Sequence, residues 1–204
     1  MAQTIVIVAL ALCLALAVFL YRGVPSLLQA HWGKLALLAG AVVLPVVTSA
    51  GSVAVGFSES SRTRFCLNCH EMQNHGKSLF ANNPRALAAA HYQNRLIDRD
   101  TACYSCHKDY AMYGDIKAKL NGLRHVYVHY LGTIPEKFEL YQPYPNSNCL
   151  HCHADARRFI EAQPHAGVMD KLLSNQDSCL TCHNVAHDMP SVQTGNFWQA
   201  QVPE

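Results

Sequence analysis

The run CLNCHEM at residues 66–72 decides how this chain is read, because its first five residues belong to a pattern that recurs three times. CYSCH stands at 103–107, CLHCH at 149–153 and CLTCH at 179–183. Two cysteines three apart with histidine directly after them form the attachment signature of c-type haem. The thiols make thioethers to the haem vinyl groups, and the adjacent histidine is placed to ligate iron from the proximal side. The pairs Cys66/Cys69, Cys103/Cys106, Cys149/Cys152 and Cys179/Cys182 therefore predict four covalently bound haem c groups. His70, His107, His153 and His183 are their proximal ligands on this reading. Zinc is the rival, since four C-x-x-C pairs could build two four-cysteine sites. A zinc ribbon has no use for a histidine after every second cysteine. With 12 histidines in 204 residues, four such coincidences have odds on the order of 1 in 100,000. Disulfides within C-x-x-C would close loops too short to stabilise much.

Away from the motifs the composition divides the chain. Half of the residues are hydrophobic and only 15% are charged, where a soluble domain carries about a quarter. The apolar content excludes intrinsic disorder, and a net charge of +2 argues against a nucleic-acid partner. Thr4–Tyr21 and Leu35–Phe57 are uncharged runs of 18 and 23 residues, each close to the length that spans a bilayer. The tail MAQT lacks the basic residues of a leader, and no clear small-residue cleavage motif follows before Arg22, so both runs are expected to be retained. Two spanning helices are expected, or one with the first segment packed or interfacial. Tyr21, Trp32 and Phe57 stand at the segment ends as aromatic anchors, and Arg22 and Lys34 place the intervening loop weakly on the cytoplasmic side. The ninth cysteine, Cys13, lies in the first run and faces lipid or a neighbouring helix.

A membrane anchor over residues 1–57 and a haem domain over 58–204 follow from this division. Haem is attached outside the bacterial cytoplasm, so the second domain is expected in the periplasm, anchored to the cytoplasmic membrane. Its 147 residues hold few long apolar stretches, so the porphyrins must form most of its core. The fold expected is mainly α, with short helices and loops around haems and little β. Eight histidines lie outside the motifs as candidate distal ligands: His31, His75, His91, His125, His129, His151, His165 and His187. His31 falls in the loop between apolar segments, and His151 lies inside its own C-x-x-C, so neither is expected on an iron. The stretch DIKAKLNGLRHVYVHYL (115–131) reads as a helix with Asp115 as N-cap and with His125 and His129 on one face. The Pro-containing run 134–148 reads as a connector.

Four C-x-x-C-H motifs behind an apolar anchor, the first extended to C-x-x-C-H-x-M by Met72, resemble the NapC/NirT/NrfH family of membrane tetrahaem quinol dehydrogenases. The resemblance runs from about Leu35 to Pro190. Within it, Lys117–Pro135 and Cys179–His187 look most like the small subunit of cytochrome c nitrite reductase. The resemblance implies a first haem near the membrane with Met72 as its ligand, displacing His70, and with its other face open for a quinol. It implies His91 on the fourth haem and His187 on the third. Lys117 and Lys119 straddle the family's lysine near the quinol pocket or second iron, and His125 stands where relatives carry an acid. Most relatives have a single anchor, so the first apolar run is a departure.

The function implied is a membrane-bound quinol dehydrogenase, an electron-transfer subunit in anaerobic respiration. It would oxidise menaquinol or ubiquinol and feed a periplasmic multihaem or molybdenum reductase, with nitrite reductase foremost. Nitrate or another terminal reductase, or reversed flow from a periplasmic dehydrogenase into the quinone pool, are the alternatives. A homo-oligomer within a larger complex fits the same reading. A catalytic reductase is disfavoured, because no C-x-x-C-K occurs.

Overall fold

The computed structural model describes residues 2–23, 29–135 and 139–199. The chain divides into two compact units, Met1–Ser60 and Ser61–Glu204. The short stretches 24–28, 136–138 and 200–204, which fall in the expected loop, connector and C-terminus, lie outside the described residues.

In the first unit a helix Ala2–Gly23 packs against a helical run from His31 to Glu59. Among the described residues this run alone is long and apolar enough to cross a membrane, while the first helix offers the shorter apolar stretch Ile7–Phe19. The sequence placed His31–Lys34 in a loop; they are instead the first turn of the helix His31–Leu38. Nothing in His-Trp-Gly-Lys forbids helix, and at 29 residues the run extends to about 43 Å, beyond a hydrocarbon core of about 30 Å. In a bilayer its ends would reach headgroup depth, where exposed Trp32 would suit the interface. The run loosens to a π-helical turn at Ala39–Val43, just before Pro45. Proline lacks an N–H and its ring crowds the carbonyl four residues back, and the wider turn accommodates both defects. Gly33 and Gly40, two turns apart, are the buried residues of the run, as expected where small residues let backbones approach. Thr48 and Ser52 donate to the carbonyls of Leu44 and Thr48, each at 2.8 Å, so neither hydroxyl is left unsatisfied in an apolar helix.

The second unit is built of short helices and, among the described residues, no strand beyond one isolated bridge between Ala81 and Phe197. Its buried apolar residues are few and mostly small: Leu79, Ala81, Ala86, Ala89, Ala102, Phe159 and Leu172. Polar staples do the joining. The segment after the fourth motif is laced to the segment after the first, through Leu87 N–H to Val185 C=O at 2.8 Å and Trp198 N–H to Phe80 C=O at 2.7 Å. Buried Thr63 donates to Arg99 C=O at 2.7 Å and accepts from Ala102 N–H at 2.8 Å, which ties the first motif to the second. Tyr144 donates to Cys106 C=O at 2.5 Å, tying the second to the third.

The long helix of this unit runs Gly114–Leu131. Its N-cap is Tyr113, in the left-handed region at φ 63°, and not Asp115. The turn from Asp109 is so tight that a Cβ on Gly114 would stand 1.7 Å from the Asp109 carbonyl oxygen. Glycine thus admits the helix one residue early, and Asp115 instead accepts from Tyr104 at 3.0 Å and pairs with Lys108 at 3.3 Å.

Candidate functional site

Each cysteine pair lies on or beside a helical turn: Thr63–Cys66, Ala102–His107, Ser147–His153 and Cys179–Cys182. Where the turn is helical, residues i and i+3 share a face, so both thiols point the same way and histidine follows at once. The four motifs are neighbours. The Cys66 and Cys103 thiols are in hydrogen-bond contact, as are those of Cys149 and Cys179. The first of these contacts, helped by the Lys119 ammonium, pulls Cys66 down to about 7. Asn146 closes the last junction from full burial. Its Nδ2 donates to Leu172 C=O at 2.8 Å and Asp177 C=O at 2.6 Å, and its Oδ1 accepts from Cys179 N–H at 3.0 Å.

Every motif histidine is faced by one other histidine. The ring centres are 5.9 Å apart for His70 and His129, 6.3 Å for His107 and His187, 6.0 Å for His153 and His91, and 6.4 Å for His183 and His165. Two imidazoles on opposite sides of one metal, bonded at about 2.0–2.1 Å, have ring centres about 6.3 Å apart. The facing histidines also share one arrangement, in which Nδ1–H is committed to an acceptor. His91 donates to Leu87 C=O at 2.8 Å and His165 to Phe159 C=O at 2.8 Å. His187 donates to Ser78 Oγ at 2.7 Å, whose own hydroxyl proton goes to His75 C=O at 2.6 Å. His129 donates to Glu71 Oε1 at 2.5 Å. A tied Nδ1 fixes the tautomer that presents a bare Nε2 to a metal. Burial, with His107 and His75 nearby, pushes His187 down to about 4, so its ring is neutral and ligand-ready at pH 7. Paired thiols, facing imidazoles and a unit without a large apolar core of its own all fit haem.

His91 faces the third motif, where the resemblance assigned it to the fourth, and His187 faces the second instead of the third. His165, a candidate ligand to which the resemblance gives no haem, faces the fourth; nothing in its spacing marks it, and only the fold brings it to His183. Met72 ends the 3-10 turn that His70 begins. His151 stacks on Tyr110 at 4.0 Å, apart from the facing pairs. Lys117 is bound to Asp109 at 2.9 Å, whereas Lys119 lies beside Cys66, donating to Ser61 at 2.7 Å and standing 4.2 Å from the Tyr104 ring centre. His125 bonds to Tyr141 at 3.1 Å, and the Arg124 guanidinium covers the same ring at 4.1 Å.

Comparison with known proteins supplies the family. The model of the NapC/NirT cytochrome c family, N-terminal region, matches residues 28–192. Cytochrome c-type protein TorC of Escherichia coli (strain K12) is 28% identical over 186 residues, covering 82% of this chain and 45% of TorC. Cytochrome c-type protein NapC of the same strain is 25% identical over 164 residues, covering 70% of this chain and 76% of NapC. NapC of Haemophilus influenzae is 25% identical over 154 residues, covering 67% and 72%. The chain thus spans about half the length of TorC. No solved structure matches. With its motifs, its facing histidines and a family match over most of its length, the chain belongs to the NapC/NirT family of membrane-anchored c-type cytochromes, which carry covalently bound haem c.

Proposed function

We propose that this chain is a tetrahaem quinol dehydrogenase subunit, anchored in the bacterial cytoplasmic membrane with its haem unit in the periplasm. The observation that carries the proposal is the facing of all four motif histidines by a second imidazole. Haem c bound at four such sites supplies one-electron carriers, whereas a quinol releases two electrons and two protons. The chain's own residues do the rest. Cys66, Cys69, Cys103, Cys106, Cys149, Cys152, Cys179 and Cys182 would hold the groups, and His107, His153 and His183, with the facing His187, His91 and His165, would supply imidazole to their irons. Thr63, Tyr144 and Asn146 keep the motifs in the order first, second, third, fourth, which gives the electrons a continuous route. His70 and Met72 mark the membrane end by family resemblance. There Lys119, beside Cys66, is the strongest quinol-site candidate, ahead of Lys117, held by Asp109, and His125, held by Tyr141.

The resemblance of Lys117–Pro135 and Cys179–His187 favours cytochrome c nitrite reductase as the electron acceptor. Purification from detergent-solubilised membranes tests the whole reading. Four haems per chain, reduction by menaquinol or ubiquinol analogues and a co-purifying nitrite reductase are expected. A molybdenum-dependent nitrate reductase in its place would move the partner and keep the function; failure of every quinol to reduce the haems would end the quinol assignment.

A further inference from the structure

The helix Gly114–Leu131 has two unlike sides. At about 100° per residue, Ile116, Leu120, Leu123, Tyr127, Tyr130 and Leu131 fall on one stripe. Each of the six is more than half exposed. The opposite side holds Ala118, Asn121 and Gly122, which are partly covered, and His125 and His129, which bond to Tyr141 and Glu71. His70 of the first motif stands across from His129 on that same side, so haem attached there does not cover the stripe. The stripe is edged by cations. Lys117 and Arg124 run along one border and Lys119 along the other, against Asp115 as the one carboxylate of the helix.

Lys119 also fixes where this helix stands. It donates to Ser61 Oγ at 2.7 Å, and Ser61 follows two residues after Glu59, where the run long and apolar enough to cross a membrane ends. Two residues of chain reach no farther than about 7 Å, which is the thickness of one headgroup layer.

We propose that the exposed stripe of Gly114–Leu131 rests in the lipid surface of the anchoring membrane, a second attachment beside the spanning run. Apolar side chains flanked by cations, with tyrosines toward one end, suit a helix lying in the plane of the interface. Leucine and isoleucine leave water there, while the tyrosine hydroxyls and the cationic heads stay among the phosphates. A second copy of this chain fits less well. An 18-residue helix is about 27 Å long and about 10 Å wide, so its stripe offers about 270 Å². A stable protein interface buries about 800 Å² on each partner. Because Lys119 lies beside Cys66, the contact also sets the height of the first motif above the acyl chains. The proposal rests on the membrane anchoring stated above and on neither the quinol nor the reductase.

The test is photolabelling of the full-length, haem-loaded cytochrome in nanodiscs of phosphatidylethanolamine and phosphatidylglycerol that carry a diazirine on the acyl chain. Adducts are located by peptide mass spectrometry. Labelling is expected on the anchor run and on the stripe residues, but not on Ile160 and Leu173, which are exposed apolar residues of the same unit. Replacing Leu120 and Leu123 together by glutamate should lower adducts on this helix about tenfold, with haem content and anchor labelling unchanged. Labelling of the anchor alone overturns the proposal and leaves the anchoring intact. So does labelling of the helix no stronger than that of Ile160 and Leu173, or an unlabelled helix that cross-links to a second copy.

Discussion

Asn146 does no electron chemistry, yet every polar atom of its side chain is used inside the protein. Truncation would strand two carbonyls and the Cys179 N–H without partners, and a buried unsatisfied group costs about 1–3 kcal/mol. Asn146→Ala should therefore destabilise the haem unit by about 3 kcal/mol or more, measured by denaturant unfolding followed at the haem absorbance. Asp188 is the second such residue. It accepts from Ser191 N–H at 3.0 Å, Ser191 Oγ–H at 2.9 Å and Asn83 Nδ2 at 2.7 Å, and these bonds lower its carboxyl below the ordinary 3.8. A depressed carboxyl stabilises the fold above its unfolded value, and that contribution is lost as pH falls through the lowered one. Wild type should accordingly be more stable than Asp188→Ala at pH 7, and the gap should close in acid below 3.8; a gap that persists there would exclude the carboxylate as its source. Neither residue is marked in the sequence as the motifs are. A buried asparagine and a surface one read alike until the carbonyls around them are known.

At the level of elements, the long helix Gly114–Leu131 was legible to within one residue, because DIKAKLNGLRHVYVHYL has no breaker and a plausible start. What could not be read was why it begins where it does, since the cause is a backbone approach between Asp109 and Gly114. The two residues of that turn make opposite predictions. Tyr113 adopts a left-handed conformation that costs a side-chain-bearing residue about 1 kcal/mol, and it is largely exposed. Tyr113→Gly should raise thermal stability by about that amount, whereas Gly114→Ala should lower it by more than about 3 kcal/mol through the clash with Asp109. Differential scanning of the two variants checks both signs. The π-helical turn at Ala39–Val43 has a similar origin. Pro45 is visible in the sequence, but whether a helix kinks, ends or widens before a proline depends on what it packs against, and here that is the first helix.

For the molecule as a whole, the C-x-x-C-H motifs are readable in the sequence because each is local, a matter of five consecutive residues. The facing histidines are not, because only the fold brings each pair together; two of the facing pairs, His153 with His91 and His107 with His187, accordingly differ from the haem partners the resemblance implies. The scarcity of buried apolar residues among the described residues of Ser61–Glu204 fits the proposed haem loading, in which porphyrin would take the place of side chains at the centre. A chain with all eight motif cysteines changed to alanine should show no cooperative unfolding and rapid proteolysis, while its membrane anchor is retained. Circular dichroism and limited trypsin digestion of the solubilised protein would show it. The lacing of residues 185–198 onto 80–88 carries a consequence for timing. In the proposed ligation His107 waits for His187, which follows the fourth motif, so the second haem is completed after the third has already met His91. A chain stopped after residue 183 should carry four haems and a six-coordinate third site, with the second haem reactive toward carbon monoxide. An early cofactor thereby reports that the segment beyond the fourth motif is in place, and a chain cut short of it announces itself through an unguarded iron.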